Sequence, residues 1–200
     1  MTKNSVSKDS VLFIGDSSRW SKLAANYLDD VFETVDTLFW DYGDAKPDVV
    51  RTWSGDHVFC FKADLVLSPA LLARARRSAV NFHPSPPRYR GVGGYYFALN
   101  DGCTEFGVTC HHMVPKIDAG QIIEVRRFPI TPGETPEGLT ERAAAYLLLL
   151  FYEIVDLIRT DTPLPQVGEE WGDRLYTRKM LAQFLRTGHV ESLDASLSGA

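Results

Sequence analysis

Val11-Leu12-Phe13-Ile14-Gly15-Asp16-Ser17-Ser18 is the stretch on which the fold turns. Four apolar residues closed by a glycine read as a strand buried on both faces, because a half-buried strand would alternate apolar with polar. Asp16, Ser17 and Ser18 then offer side-chain oxygens to the free N–H groups of a helix's first turn, which predicts a helix over residues 19–28. Further strands are expected at residues 34–40, 58–61 and 79–82. Ser68-Pro69 opens a helix expected to run to residue 77. This alternation predicts an α/β fold, a mostly parallel, twisted sheet with flanking helices.

Working outward, His83-Pro84-Ser85-Pro86-Pro87-Arg88-Tyr89-Arg90-Gly91 is a loop by composition, followed by a short helix over residues 94–100. Residues 107–113 and 121–130 read as two strands joined through Lys116-Ile117-Asp118-Ala119-Gly120. Thr135-Pro136 opens the longest helix, to about residue 158, apolar on nearly every face in its middle. That helix, with Leu175, Tyr176, Met180 and Leu181 further on, predicts a partner surface and a homodimer. A turn-rich connector at residues 163–172 leads to an amphipathic piece at 177–186, and the final dozen residues are expected to fray. Residues 1–160 are read as the catalytic domain and 161–200 as a short C-terminal extension, not a separate domain.

The chain has 200 residues, 44% of them hydrophobic and 24% charged, the balance of an ordinary soluble globule. At this length roughly 70% of the unfolded surface can be buried, so no metal or disulfide staple is required. The net charge of −5, without a basic block, argues against a nucleic-acid partner. Cys60, Cys103 and Cys110 are too few for a disulfide framework. The opening ten residues show no apolar signal core and no run reaches the ~20 residues of a membrane span, so a cytoplasmic chain without a span is expected. His111 and His112 are neighbours on a strand and point to opposite faces, so no metal site is expected.

Asn81 and His83 lie two apart at the end of a strand, so their side chains share a side, and strand ends are where open α/β sheets keep their sites. Asp118 stands in a glycine-flanked bend able to fold back onto them. An amide, an imidazole and a carboxylate brought together suit acyl transfer: Asn81 holds the developing oxyanion, His83 moves a proton and Asp118 orients His83 or a water. Each also has a plain structural reading, as a strand-end cap, a satisfied polar group and a turn former, and spacing alone leaves both open.

Asn81-Phe82-His83-Pro84-Ser85, Arg90-Gly91, Gly107-Val108-Thr109-Cys110-His111-His112-Met113 and Asp118-Ala119-Gly120-Gln121-Ile122-Ile123, in that order, closely resemble the folate-dependent formyltransferases over about residues 56–158. The resemblance implies a Rossmann-like formyltransferase fold, 10-formyltetrahydrofolate as formyl donor, and Asn81, His83 and Asp118 as the catalytic trio. It implies that Leu65, Leu67 and Leu72 line the pterin pocket and that the loop carrying Val114 and Ile117 closes over it, although these residues also read as core. On the acceptor side it points to His111, Tyr95 and Arg90 as lining residues. Gly15-Asp16-Ser17-Ser18 reads as a plain strand-to-helix turn or a phosphate-binding one.

The texture of the Asn81 and Gly107 blocks resembles the sugar-modifying members, so the implied acceptor is a primary amine on a nucleotide-linked amino sugar. Pro86 and the Asp16-Ser17-Ser18 turn depart from the members that formylate glycinamide ribonucleotide, the alternative acceptor. The tRNA-modifying members carry an additional C-terminal domain and suit a different charge, so tRNA is not expected. A further alternative is a 10-formyltetrahydrofolate hydrolase, whose relatives carry an N-terminal regulatory domain.

Overall fold

Every second residue of each central strand faces the same helical layer, and that parity places the rest of the molecule. The structure is a computed structural model describing residues 6–188. The chain runs β1 (Ser7–Gly15), α1 (Arg19–Val31), β2 (Phe32–Phe39), α2 (Val49–Thr52), β3 (Gly55–Phe61), α3 (Pro69–Leu72) and β4 (Ala75–His83). It continues β5 (Arg90–Gly91), α4 (Gly94–Asn100), β6 (Glu105–His112), β7 (Ile122–Pro129), α5 (Pro136–Arg159), β8 (Leu175–Tyr176) and α6 (Arg178–Thr187). Among the described residues the main sheet has the order β2-β1-β3-β4-β6-β7. The first four strands are parallel, and β6 and β7 are antiparallel additions.

Val11 and Phe13 of β1, Phe59 and Phe61 of β3, and Val80 and Phe82 of β4 enter one layer, shared with α1 and α5. Leu12, Ile14, Val58 and Cys60 enter the opposite layer, with Leu65, Leu67 and Leu71. Burial on both faces is why these strands read as unbroken apolar runs. Phe151 of α5 is the keystone of the first layer. Its ring meets those of Phe13, Phe59, Phe61 and Phe82 at centroid distances of 5.9, 6.2, 5.5 and 4.8 Å.

One expectation changes in the structure. The helix opened at Ser68-Pro69 stops at Leu72, and β4 begins at Ala75. The ladder to β3 and two ion pairs, Arg76 to Asp56 at 2.9 Å and Arg77 to Asp9 at 2.5 Å, hold residues 75–77 extended against their helical propensity. The surface that suggested a dimer is largely covered within one chain: α5 buries Leu147, Leu150, Phe151 and Ile154, while Tyr176, Leu181 and Phe184 pack on the same core. Leu149 of α5 stays 55% exposed. The expected fraying at residues 189–200 lies outside the described residues. No helix among the described residues is long and apolar enough to cross a membrane.

Candidate active site

The parallel strands β1, β3 and β4 all end at one edge, and a cleft of about 590 Å³ opens beyond it. Open α/β sheets place ligands beyond the carboxyl ends of their strands. Asn81, His83, His111 and Asp118 line its floor. Asn81 sits opposite His111 in the antiparallel β4–β6 ladder, so both side chains rise on the same face, away from Phe82 and Cys110. The Asn81 amide nitrogen is 3.0 Å from His111 Nε2 and 3.4 Å from Asp118 Oδ1. His111 Nδ1–H donates to the carbonyl of His112 at 2.9 Å, so in the neutral ring Nε2 is the acceptor of the amide.

Asp118 is the hub. Its Oδ1 faces Asn81 and, at 3.3 Å, His111 Nε2. Its Oδ2 accepts the Gly91 N–H at 2.8 Å and stands 3.6 Å from His83 Nδ1. Burial opposes the charge, but the positive charge of the His83 and His111 rings when protonated, together with the Gly91 N–H, outweighs it and holds the carboxyl well below the usual carboxylate range. Asp118 also has a left-handed backbone, φ +41°, a conformation that costs a non-glycine residue energy and is found at functional sites.

His83 is 4% exposed, and its Nε2–H donates to the Tyr89 carbonyl at 2.9 Å. That bond leaves Nδ1 as the nitrogen free to exchange a proton. The 3.6 Å from Nδ1 to Asp118 exceeds a direct hydrogen bond, so the two groups face each other as an electrostatic pair.

All five residues assigned from resemblance to the folate side, Leu65, Leu67, Leu72, Val114 and Ile117, line the same cleft. Leu65 and Leu67 form a buried wall, whereas Val66, Val114 and Ile117 expose apolar side chains into it. Tyr95 also lines it. Arg90 does not: it is 5% exposed, and its guanidinium donates to the carbonyls of Asp118 at 2.7 Å, Ile117 at 2.9 Å and Gly172 at 3.3 Å. Expected to face an acceptor, it is spent instead on backbone, because a buried guanidinium must satisfy its donors.

The turn after β1 follows the plain strand-to-helix reading of its sequence. Ser18 caps α1, accepting from Ser21 N, while Asp16 Oδ1 accepts from both serine hydroxyls at 2.5 Å. Lys62, itself left-handed at φ +56°, donates to Asp16 Oδ2 at 3.0 Å. Burial works against this charge too, but the serine hydroxyls and Lys62 lower the Asp16 pKa. The corner that an external anion would occupy is filled by the chain's own carboxylate.

Two groups at or beside the cleft escape sequence reasoning. Arg178 of α6 pairs with Asp64 and lies 3.6 Å from the centroid of the Tyr42 ring at the cleft mouth. Trp171 packs edge-on against His111 and His83, with centroids 4.8 and 6.1 Å away. An aromatic residue inside a polar connector was the one signal that marked Trp171.

The sequence model of the family described as Formyl transferase matches residues 41–150, from the loop before α2 into α5. Methionyl-tRNA formyltransferase of Listeria welshimeri is 38% identical over 99 residues, covering 44% of this chain and 32% of that protein. The chain spans between about a third and a half of the length of the curated relatives it matches. Among solved structures, the formyltransferase PseJ from Anoxybacillus kamchatkensis, in complex with UDP-4,6-dideoxy-4-formamido-L-AltNAc and tetrahydrofolate, superposes with a TM-score of 0.70. It is 21% identical, over 88% of this chain and 90% of that one. The N-formyltransferase from Helicobacter canadensis, in complex with folinic acid and dTDP-3-aminofucose, also gives 0.70, at 19% identity over 85% of this chain and 71% of that one. At these identities the structural likeness is one of fold. The match to the family's own sequence model runs through Asn81, His83, His111 and Asp118, and the chain belongs to the formyl transferase family.

Proposed function

We propose that this chain is a 10-formyltetrahydrofolate-dependent N-formyltransferase whose acceptor is a primary amine on a nucleotide-linked amino sugar. One observation carries the reading: Asn81, His83 and Asp118 converge on the floor of a cleft whose adjoining wall is Leu65, Leu67 and Leu72. A flat heteroaromatic ring needs apolar walls with a few polar groups at one end, and this cleft has both. Leu65, Leu67, Leu72, Val114 and Ile117 would hold the donor, which supplies a formyl carbon open to attack by an amine.

Each member of the trio then has a task. The Asn81 amide gives up its long 3.4 Å contact to Asp118 and donates to the formyl oxygen as that oxygen gains charge. His83, held by Tyr89 at Nε2, takes the amine's proton at Nδ1. Asp118 stays ionised and stabilises the imidazolium so formed, which gives its proton to the folate nitrogen as the bond from that nitrogen to the formyl carbon breaks and tetrahydrofolate leaves.

For the acceptor, Asp16 supports a sugar over a ribonucleotide phosphomonoester seated at α1, because its carboxylate would repel a phosphate there. Two of the structural neighbours hold nucleotide-linked sugars, dTDP-3-aminofucose in one and UDP-4,6-dideoxy-4-formamido-L-AltNAc in the other. The sequence likeness to methionyl-tRNA formyltransferases favours one second reading, an aminoacyl-tRNA amine. The purified protein is mixed with 10-formyltetrahydrofolate alone, with nucleotide-linked amino sugars, with glycinamide ribonucleotide and with methionyl-tRNA. Tetrahydrofolate release that requires an amino sugar is expected. Release with tRNA or glycinamide ribonucleotide alone transfers the assignment to that amine, release without any amine makes the chain a hydrolase, and no release rejects the transferase.

A further inference from the structure

We propose that Trp171, acting with Arg90, is a positioning residue that holds Asp118 and the two site histidines in their working geometry. The proposal rests on the catalytic reading of Asn81, His83 and Asp118. Trp171 lies outside the 41–150 stretch that the family model matches, so the site borrows an essential brace from the C-terminal connector.

The bend bearing Asp118 has little regular structure of its own. Its carbonyls are held from outside: Ile117 and Asp118 by the Arg90 guanidinium, and Gly120 by the Trp171 indole N–H at 2.7 Å. Arg90 also reaches the Gly172 carbonyl, and the Gly172 N–H donates to Pro87 at 3.0 Å, so the two clamps are tied to each other. Beyond them β5 and β8 pair, Arg90 with Leu175 and Gly91 with Tyr176. Gly91 must be glycine there, since φ is +86° and a Cβ would come within 2.1 Å of the Tyr176 carbonyl oxygen. The same Gly91 gives its N–H to Asp118 Oδ2.

The Trp171 ring completes the brace from the other side. It stands edge-to-face against His111, at 86°, and against His83, at 63°. One side chain therefore fixes the bend through its N–H and limits both imidazoles through its ring. Without it, Asp118 keeps its identity but loses its place between Asn81 and His83. A displacement near 1 Å at a reacting centre costs about 10²-fold in rate.

The test separates position from mere stability. Trp171→Phe keeps a ring beside the histidines and loses the bond to Gly120, whereas Trp171→Ala loses both. Turnover is expected to fall about tenfold and about a hundredfold respectively, with the donor KM unchanged within about twofold. In an Asp118→Asn background Trp171→Phe is expected to change turnover by less than about twofold, since both act through one carboxylate. An equal loss in both backgrounds, or a loss confined to KM, would overturn the proposal. Imidazole ¹⁵N spectra of the same proteins without substrate are the second readout. The His83 and His111 signals are expected to move in Trp171→Phe while circular dichroism stays that of the parent, and unmoved signals would also overturn it. If the parent protein turns over no amine, the transferase reading fails and the imidazole spectra alone decide the brace.

Discussion

At the residue scale, two oxygens of one carboxylate divide the labour of the site. Asp118 Oδ1 serves the amide side, and Oδ2 serves His83 and the Gly91 N–H. His83→Ala and Asp118→Ala are each expected to cut turnover by about 10²-fold or more, because proton-transfer groups contribute on that order. Near-parental rates in either variant would remove that residue from the mechanism. Asn81→Ala is expected to lower kcat more than it weakens folate binding, since its amide meets charge only as the reaction proceeds. Isothermal titration with tetrahydrofolate beside steady-state kinetics tells the two apart, and a pure affinity loss would make Asn81 a folate ligand instead.

At the scale of elements, the site stands on β4, and β4 stands on α5. Phe82 lies between Asn81 and His83 with its ring 4.8 Å from Phe151, so the packing that stabilises the sheet also aims the two polar side chains the other way. Phe151→Ala removes a fully buried ring from contact with four other phenylalanine rings. Large-to-small changes of this kind cost about 3–5 kcal/mol. Urea unfolding measures the loss, and a cost below about 1 kcal/mol would mean the layer can repack around the gap.

At the scale of the whole molecule, the strands' opposite end is tied by charge. Asp56 of β3 accepts from the Ser10 backbone N–H and hydroxyl of β1 and pairs with Arg76 of β4. The Ser10 N–H leads, burial opposes, and the Ser10 hydroxyl and Arg76 add to it, leaving the carboxyl at about 2. A carboxylate whose pKa is lower folded than unfolded stabilises the fold above the unfolded value, near 3.9, and that contribution disappears as pH falls through the folded one. The urea midpoint is therefore expected to drop between about pH 4 and pH 2, and Asp56→Asn to flatten that drop. Identical slopes in the two proteins would show that other carboxylates carry the acid sensitivity. Light scattering at micromolar concentration tests the association state. The packing of α5, Tyr176 and Leu181 on the chain's own core leads us to expect the mass of one chain, 22.4 kDa. A mass twice as large would restore the partner surface expected from the apolar pattern.

The sequence by itself determined what depends on neighbours along the chain. Apolar runs marked β1 and β3, Ser18 and Thr135 marked the caps of α1 and α5, and the two-residue spacing of Asn81 and His83 put both on one side of β4. Period and capping are local properties, so composition and order suffice to read them. The tertiary structure alone decided what joins distant residues. Only the antiparallel register of β6 brings His111, 30 positions away, beside Asn81. Only the brace from 51 positions beyond Gly120 brings Trp171 to the histidines. Arg90 reads as a free cation until its donors are found on three carbonyls, and residues 75–77 read as helix until Asp56 and Asp9 pair with their arginines. In each case a buried polar group or an unpaired strand edge found its partner across space, where the cost of leaving it unsatisfied outweighs any local preference.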